Sequence, residues 1–501
     1  MEKKKKNGLI TKLLACWINA LLIFFVLKAF FYACLMLPLY LYFPFVFTFI
    51  AAFIAYPIIC IGFRCRTLGR YLLDMNIKTP FKNAIRYLAA ISLLISIVYY
   101  FGNMICLWSD FKQMKLTSTI THSFENRDAN LLQEVSSLSE QDYSTLSKWV
   151  ENNKVAPEEY VVQIAKNHKI TLIGEVHEVK NYLDFFNDII PNLYYQAGVR
   201  CIAMECIPSS MNSKIEKLIN AKEFDERLLI QISRHESWNI WGFEEYWNVL
   251  RTAWRLNSNL KPDERRLRVV GIDSEWNGPN FALAFSRGED GLQNVSFVEK
   301  FRAFTLAPDL IKIIYRDEIM ARNIEKEAIE KNDKCVVWVG SYHSFVNYGQ
   351  GIFDENKKLI RYNNRMGIML CQKYKNDIFQ IVLHLPNSIS DDLLNKVIFQ
   401  NGLAPVGFTV ENSPFAMLRD SAKYLYNSLP TVSFSDVAQG YLYFLPFDST
   451  RHCSWLPDYI SKKMFLKNKP FYEGKIEQKF NNSKEANNYF MQYFENYDKK
   501  R

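Results

Sequence analysis

Five short runs of aliphatic and β-branched residues set the strongest limit on how this chain folds: KITLIG at 169–174, VRCIAME at 199–205, LRVVGID at 267–273, CVVWVG at 335–340 and IFQIVLH at 378–384. Each is apolar almost without interruption, as a strand buried on both faces must be. Between them lie stretches with helical length and spacing: SKIEKLINAKEFDERLLIQIS at 213–233, FEEYWNVLRTAWRLN at 243–257 and YRDEIMARNIEKEAIEK at 315–331. Strands of this kind alternating with helices predict an α/β fold with a mostly parallel sheet flanked by helices. GYLYFLPFD at 440–448 reads as one more buried segment.

The N-terminus obeys a different rule. Between Lys12 and Arg64 the only charge is Lys28, and a second uncharged run covers Tyr87 to Leu107. About 20 apolar residues cross a bilayer, so the first run accommodates two crossings and the second one, making about three transmembrane helices in all. Basic residues at 3–12 and 64–86 flank the first pair, which places the N-terminus in the cytoplasm and the large C-terminal part on the extracytoplasmic side. The organisation expected is a membrane anchor at 1–109, a helical connector at 110–165, an α/β domain at 166–460 and a peripheral tail at 461–501.

The formal charge of +9 does not argue for nucleic acid. Much of the excess lies beside the membrane runs, where it meets anionic headgroups, and neither a zinc-finger spacing nor a basic helix accompanies it. The lipid bilayer and a small-molecule or peptide substrate are the partners expected. Cys201, Cys206, Cys335, Cys371 and Cys453 show no framework that calls for disulfides.

Ligands in open α/β sheets bind outside the carboxyl ends of the strands. There the chain gathers its rare chemistry: Glu175, His177 and Glu178 after the first strand, Glu205 after the second, Asp273 after the third, and Tyr342 and His343 after the fourth. Only seven histidines exist in 501 residues, yet two arrive behind a glycine at a strand end. In extended chain Glu175 and His177 point the same way, so the pair can orient a general base or offer two ligands to a divalent metal. Glu205, Asp273 and His343 complete a candidate metal set with His177. Glu178 reads as the acidic first turn of the next helix. Arg316 can hold an oxyanion or form a salt bridge to Asp273 or Glu205. Tyr342 and His235 are candidate contacts for a flat ligand or cofactor.

Taken in order, GEVHE at 174–178, AMEC at 203–206, RDEIMARNI at 316–324 and VVWVGSYHSFVNYGQG at 336–351 resemble the ChaN-like, haem-binding-uptake and Tiki superfamily, which also takes in the erythromycin esterases. The resemblance implies an α/β fold with its site at Glu175, His177, Glu205, Arg316 and His343. It also implies a divalent metal, haem, or metal-free water activation by histidine, depending on the branch. The esterase branch spaces its first motif G-E-x-x-H-G, whereas His177 stands two residues after Glu175. That moves the expectation toward the ChaN and Tiki side. The function expected is a membrane-anchored hydrolase of an ester or peptide bond, with a haem- or metal-binding protein without turnover as the alternative.

Overall fold

The computed structural model describes residues 122–235, 241–274 and 315–497, apart from 354, 355, 357, 428 and 477. The expected membrane spans lie outside those residues; among the described residues no helix is long and apolar enough to cross a membrane.

The centre of the domain is one sheet of β1 (Ile170–Glu175), β2 (Val199–Pro208), β3 (Arg268–Asp273), β4 (Lys334–Gly340), β5 (Ile378–Leu383), β6 (Val406–Thr409) and β7 (Gly440–Tyr443). Its spatial order is β3-β2-β4-β1-β5-β7-β6. Every pairing is parallel except that of β7 with the edge strand β6. The mostly parallel sheet predicted from the apolar runs is therefore present. All six residues of β1 are buried, which is why the run shows no polar alternation.

Both faces are covered. Ile173, Ile202, Met204 and Trp338 pack under α3 (Lys180–Tyr195) and α4 (Glu244–Ser258), with Phe186 stacked on Trp338 at 4.3 Å. On the opposite face Leu172, Ala203, Val337 and Val339 pack under α5 (Arg316–Ile324) and α6 (Met366–Tyr374) through Met320, Ile324, Met366 and Leu370. Each fully buried aliphatic side chain of this kind stabilises the fold by about 1.5–3 kcal/mol. The expected connector supplies α1 (Glu140–Asn153) and α2 (Pro157–Asn167), and Leu146 and Val150 enter the core beside β6 and β7. Beyond residue 461, Tyr472, Phe480 and Phe490 are buried in the main cluster.

Two features of the strands prepare the site. β2 was expected to stop at Glu205 but continues to Pro208, and its register against β3 shifts between Met204 and Pro208. Such an irregularity re-aims a side chain, and Glu205 lies within it. The second feature is topological: the chain leaves β1 toward β2 and leaves β4 toward β5, in opposite directions along the sheet. Where adjacent strands diverge in this way a crevice opens at their carboxyl ends. Glu175 and Gly340, the last residues of β1 and β4, are register partners there.

Candidate functional site

Arg316 opens α5 and reaches across the strand ends. Its Nε donates to Asp273 Oδ1 at 2.9 Å, and Nη2 donates to Asp273 Oδ2 at 2.9 Å and to Glu205 Oε1 at 2.5 Å. Nη1 faces His343 Nε2 at 2.9 Å. Arg316 is 5% exposed, Glu205 3% and Asp273 0%, so these are buried charges that neutralise one another. This changes two expectations. The guanidinium already engages Asp273, Glu205 and His343, three of the four groups that would have to hold a metal ion. Among the described residues no group of three or more His, Cys, Asp or Glu is arranged to hold a metal ion. Arg316 is equally unsuited to the oxyanion role, because its donors are committed to protein acceptors.

His343 is fixed from both sides. An arginine cannot accept, so Nε2 must receive the Arg316 hydrogen bond, and Nδ1–H then donates to Asp317 Oδ1 at 2.7 Å. Asp317 also accepts from the Met366 backbone N–H at 2.8 Å and lies 3.4 Å from Arg365 Nη1. Burial works against its charge, but His343, Arg365 and Met366 together hold the carboxyl well below the usual range. Glu205 is held down to about 2: burial opposes ionisation, and Arg316, the two rim histidines and the Gly340 N–H at 2.6 Å together outweigh it.

His177 is differently placed. Its Nδ1 lies 2.8 Å from Glu175 Oε1, and 36% of its side chain remains exposed. Tyr246 Oη donates to the same Glu175 oxygen at 2.7 Å, while Glu175 Oε2 is buried without a hydrogen-bond partner. Burial pushes the Glu175 carboxyl up, partly countered by His177 and Tyr246. Burial also works against charge on His177, but the Glu175 hydrogen bond and the charges of Glu205, Glu175 and Glu178 prevail and raise it to about 9. Among the described residues Nε2 has no hydrogen-bond partner. It lies over Gly340, where a Cβ would sit 2.9 Å from Nε2 and 3.3 Å from Glu205 Oε2. Trp241 meets the ring edge-on at 5.0 Å.

Gly340 is thus the gap into which the imidazole fits. Gly340→Ala should displace the His177 ring while the buried strand persists. The expected result is a His177 NMR titration midpoint that moves from about 9 toward that of an ordinary imidazole with a nearly unchanged melting temperature, since the ring would lose its place beside Glu175. An unchanged His177 titration in the Gly340→Ala protein would show that the ring does not depend on this gap.

The structure brings Glu175, His177, Glu205, Asp273, Arg316 and His343 to one rim. Tyr342 instead packs on Phe345 and stacks on Tyr424 at 6.0 Å. His235 is buried, with Nε2 on the Cys206 carbonyl at 2.8 Å, and burial lowers it to about 4. It serves as a neutral structural donor. Glu178 is not in a helical first turn: α3 begins at Lys180, and Glu178 has φ 68° with its carboxylate on His452 Nε2 at 2.9 Å. Asp317 and Tyr246 escaped the sequence reading. Asp317 looks like an acid at a helix start, and Tyr246 is one aromatic among many.

No family model matches the chain, and no curated protein matches it. Among solved structures it is similar to a Bacillus cereus protein at 11% identity and TM-score 0.39, covering 60% of this chain and 97% of that one. It is similar to the erythromycin esterase EreC in its open conformation at 11% identity and TM-score 0.37, covering 60% and 95%. A third is ChaN of Campylobacter jejuni with cofacially bound haem, at 13% identity and TM-score 0.30, covering 45% and 86%. The matched structures thus include a ChaN and an erythromycin esterase, the families that the sequence motifs resemble.

Proposed function

We propose that the chain is a hydrolase in which a histidine held by a buried carboxylate activates water, and more particularly a membrane-anchored hydrolase of an ester or peptide bond. The observation that carries this reading is the contrast between the two rim histidines. His343 is buried with both ring nitrogens engaged, whereas His177 has a third of its side chain in solvent and an unpartnered Nε2. Only the second can take a proton from an incoming water.

In this mechanism Nδ1–H of His177 stays on Glu175, which fixes the tautomer and stabilises the imidazolium once formed. Water attacks the carbonyl carbon as Nε2 removes its proton. The tetrahedral intermediate collapses when Nε2–H returns that proton to the leaving oxygen or nitrogen. Arg316 contributes from behind by favouring the ionised form of Glu205 and holding Asp273 in place. The uncharged N-terminal runs supply the anchor, and their basic flanks put the α/β domain on the extracytoplasmic side. Protease accessibility from each side of sealed membranes tests that placement.

A haem-binding reading would rest on the same nitrogen. His343 does not fit as an axial ligand, because Arg316 and Asp317 occupy both of its nitrogens. The expected result on titrating the detergent-solubilised protein with excess haem is no Soret shift. A shift that survives in His343→Ala and is lost in His177→Ala would favour haem over hydrolysis.

A further inference from the structure

Between β1 and α3 the chain makes a tight turn, and Glu178 within it adopts φ 68°, a left-handed conformation that a residue with a Cβ seldom holds unaided. Such a conformation persists where surrounding contacts over-determine it. Here they do so on every polar group of Glu178. Its N–H donates to Tyr246 Oη at 3.1 Å, its carbonyl accepts from Cys453 N at 2.9 Å, and its carboxylate meets His452 Nε2 at 2.9 Å. His452 Nδ1 lies 2.9 Å from the Cys453 carbonyl, so both ring nitrogens face oxygen acceptors. The ring is thus held between the Glu178 carboxylate and the Cys453 carbonyl.

The segment 451–456 also ties this turn to the chain beside Trp241, whose ring meets His177. On one side Lys180 N donates to the Arg451 carbonyl at 2.8 Å. On the other, Glu244 N donates to the Ser454 carbonyl at 2.9 Å and Leu456 N to the Gly242 carbonyl at 2.6 Å, next to Trp241. Glu245 joins the two sides, accepting from Lys180 Nζ at 2.5 Å and from Ser454 N at 2.8 Å. The strap is held in turn by α7 (Ser483–Glu495): Phe494 stacks on His452 at 4.6 Å and on Trp455 at 5.6 Å, and Phe490 stacks on Trp455 at 5.0 Å. A tail expected to be peripheral thus reaches the turn that carries the reactive ring.

We propose that His452, braced by Phe494, is a positioning residue that holds Glu178 and, through it, the turn presenting His177. The role follows from contacts alone; only its kinetic readout rests on the hydrolytic reading above.

The test uses the full chain in detergent with His452→Ala, His452→Gln and Phe494→Ala. In His452→Ala the NMR titration midpoint of His177 should fall toward that of an ordinary imidazole. Amide exchange at 176–180 should quicken by about tenfold or more as the turn opens locally. Turnover should drop about tenfold with little change in KM, because a positioning defect acts on the chemical step. His452→Gln, which keeps an N–H toward Glu178, should recover most of each loss, and Phe494→Ala should reproduce the defect in part. If His452→Ala does not fold, Glu178→Gln, which keeps the size and removes the charge, carries the same test. A folded variant whose His177 titration and 176–180 exchange match the unaltered protein overturns the proposal. The absence of any hydrolysis in the unaltered protein would bear on the hydrolytic reading alone, since titration and exchange need no substrate.

Discussion

Arg316→Met is expected to leave the α/β domain close to unfolding. The substitution keeps the bulk of the side chain but strands Asp273 and Glu205, which are 0% and 3% exposed, without the cation that answers them. Removing one partner of a buried ion pair costs about 3–5 kcal/mol, a large fraction of the roughly 5–15 kcal/mol that holds a domain together. Arg316→Lys should recover little, because a point ammonium cannot match a fork that serves Asp273, Glu205 and His343 in three directions. Adding Asp273→Asn to Arg316→Met should restore part of the loss by removing one uncompensated charge. Urea unfolding of the three proteins measures this. An unchanged midpoint in Arg316→Met would mean that the cluster is solvated rather than buried.

The second large effect concerns pH. With His177 raised to about 9, the imidazolium predominates at neutrality and the base form that the proposed mechanism requires is the minor one. Because the base must be unprotonated, kcat/KM should climb by about tenfold per pH unit toward pH 9 and level off above it. Glu175→Gln removes the first group that favours the proton, so its profile should move to lower pH while its plateau falls with the loss of the fixed tautomer. His177→Gln should lose about a hundred- to ten-thousandfold in rate, the usual worth of a positioned general base, with its melting temperature nearly unchanged because the side chain is partly exposed. A profile flat between neutrality and pH 9, or an active His177→Gln protein, would remove His177 from the role of base.

Much of the site could be read from sequence because it lies where strands stop. The apolar runs marked the ends of β1, β3 and β4 closely, and with them Glu175, Asp273 and the glycine before His343. What pattern could not supply was which charge faces which. Arg316 contacts Asp273 across 43 positions and Glu205 across 111, and no local period records such a pairing. The candidate metal set finds no support among the described residues for that reason: the ligand types are present, but the Arg316 guanidinium projects among them. Glu178 was misread because its partner His452 lies 274 residues away, and an acid two positions before a helix resembles ordinary support for the helix start. Asp317 and Tyr246 carry no spacing signal of their own and gain meaning only beside His343 and Glu175.

Arg316 is answered by residues from the ends of β2, β3 and β4, strands that must each be aligned before the guanidinium finds Glu205, Asp273 and His343 together. In a pleated strand a one-residue slip reverses every side chain. A slip of β3 against β2 would turn Asp273 away from Arg316 and bury an unanswered charge, although the apolar residues of β3 would still find apolar neighbours above and below. Uniformly hydrophobic strands choose their alignment poorly, and in this sheet the ion cluster supplies the choice. It is an alignment key that penalises misassembled sheets whether or not a substrate ever reaches the rim.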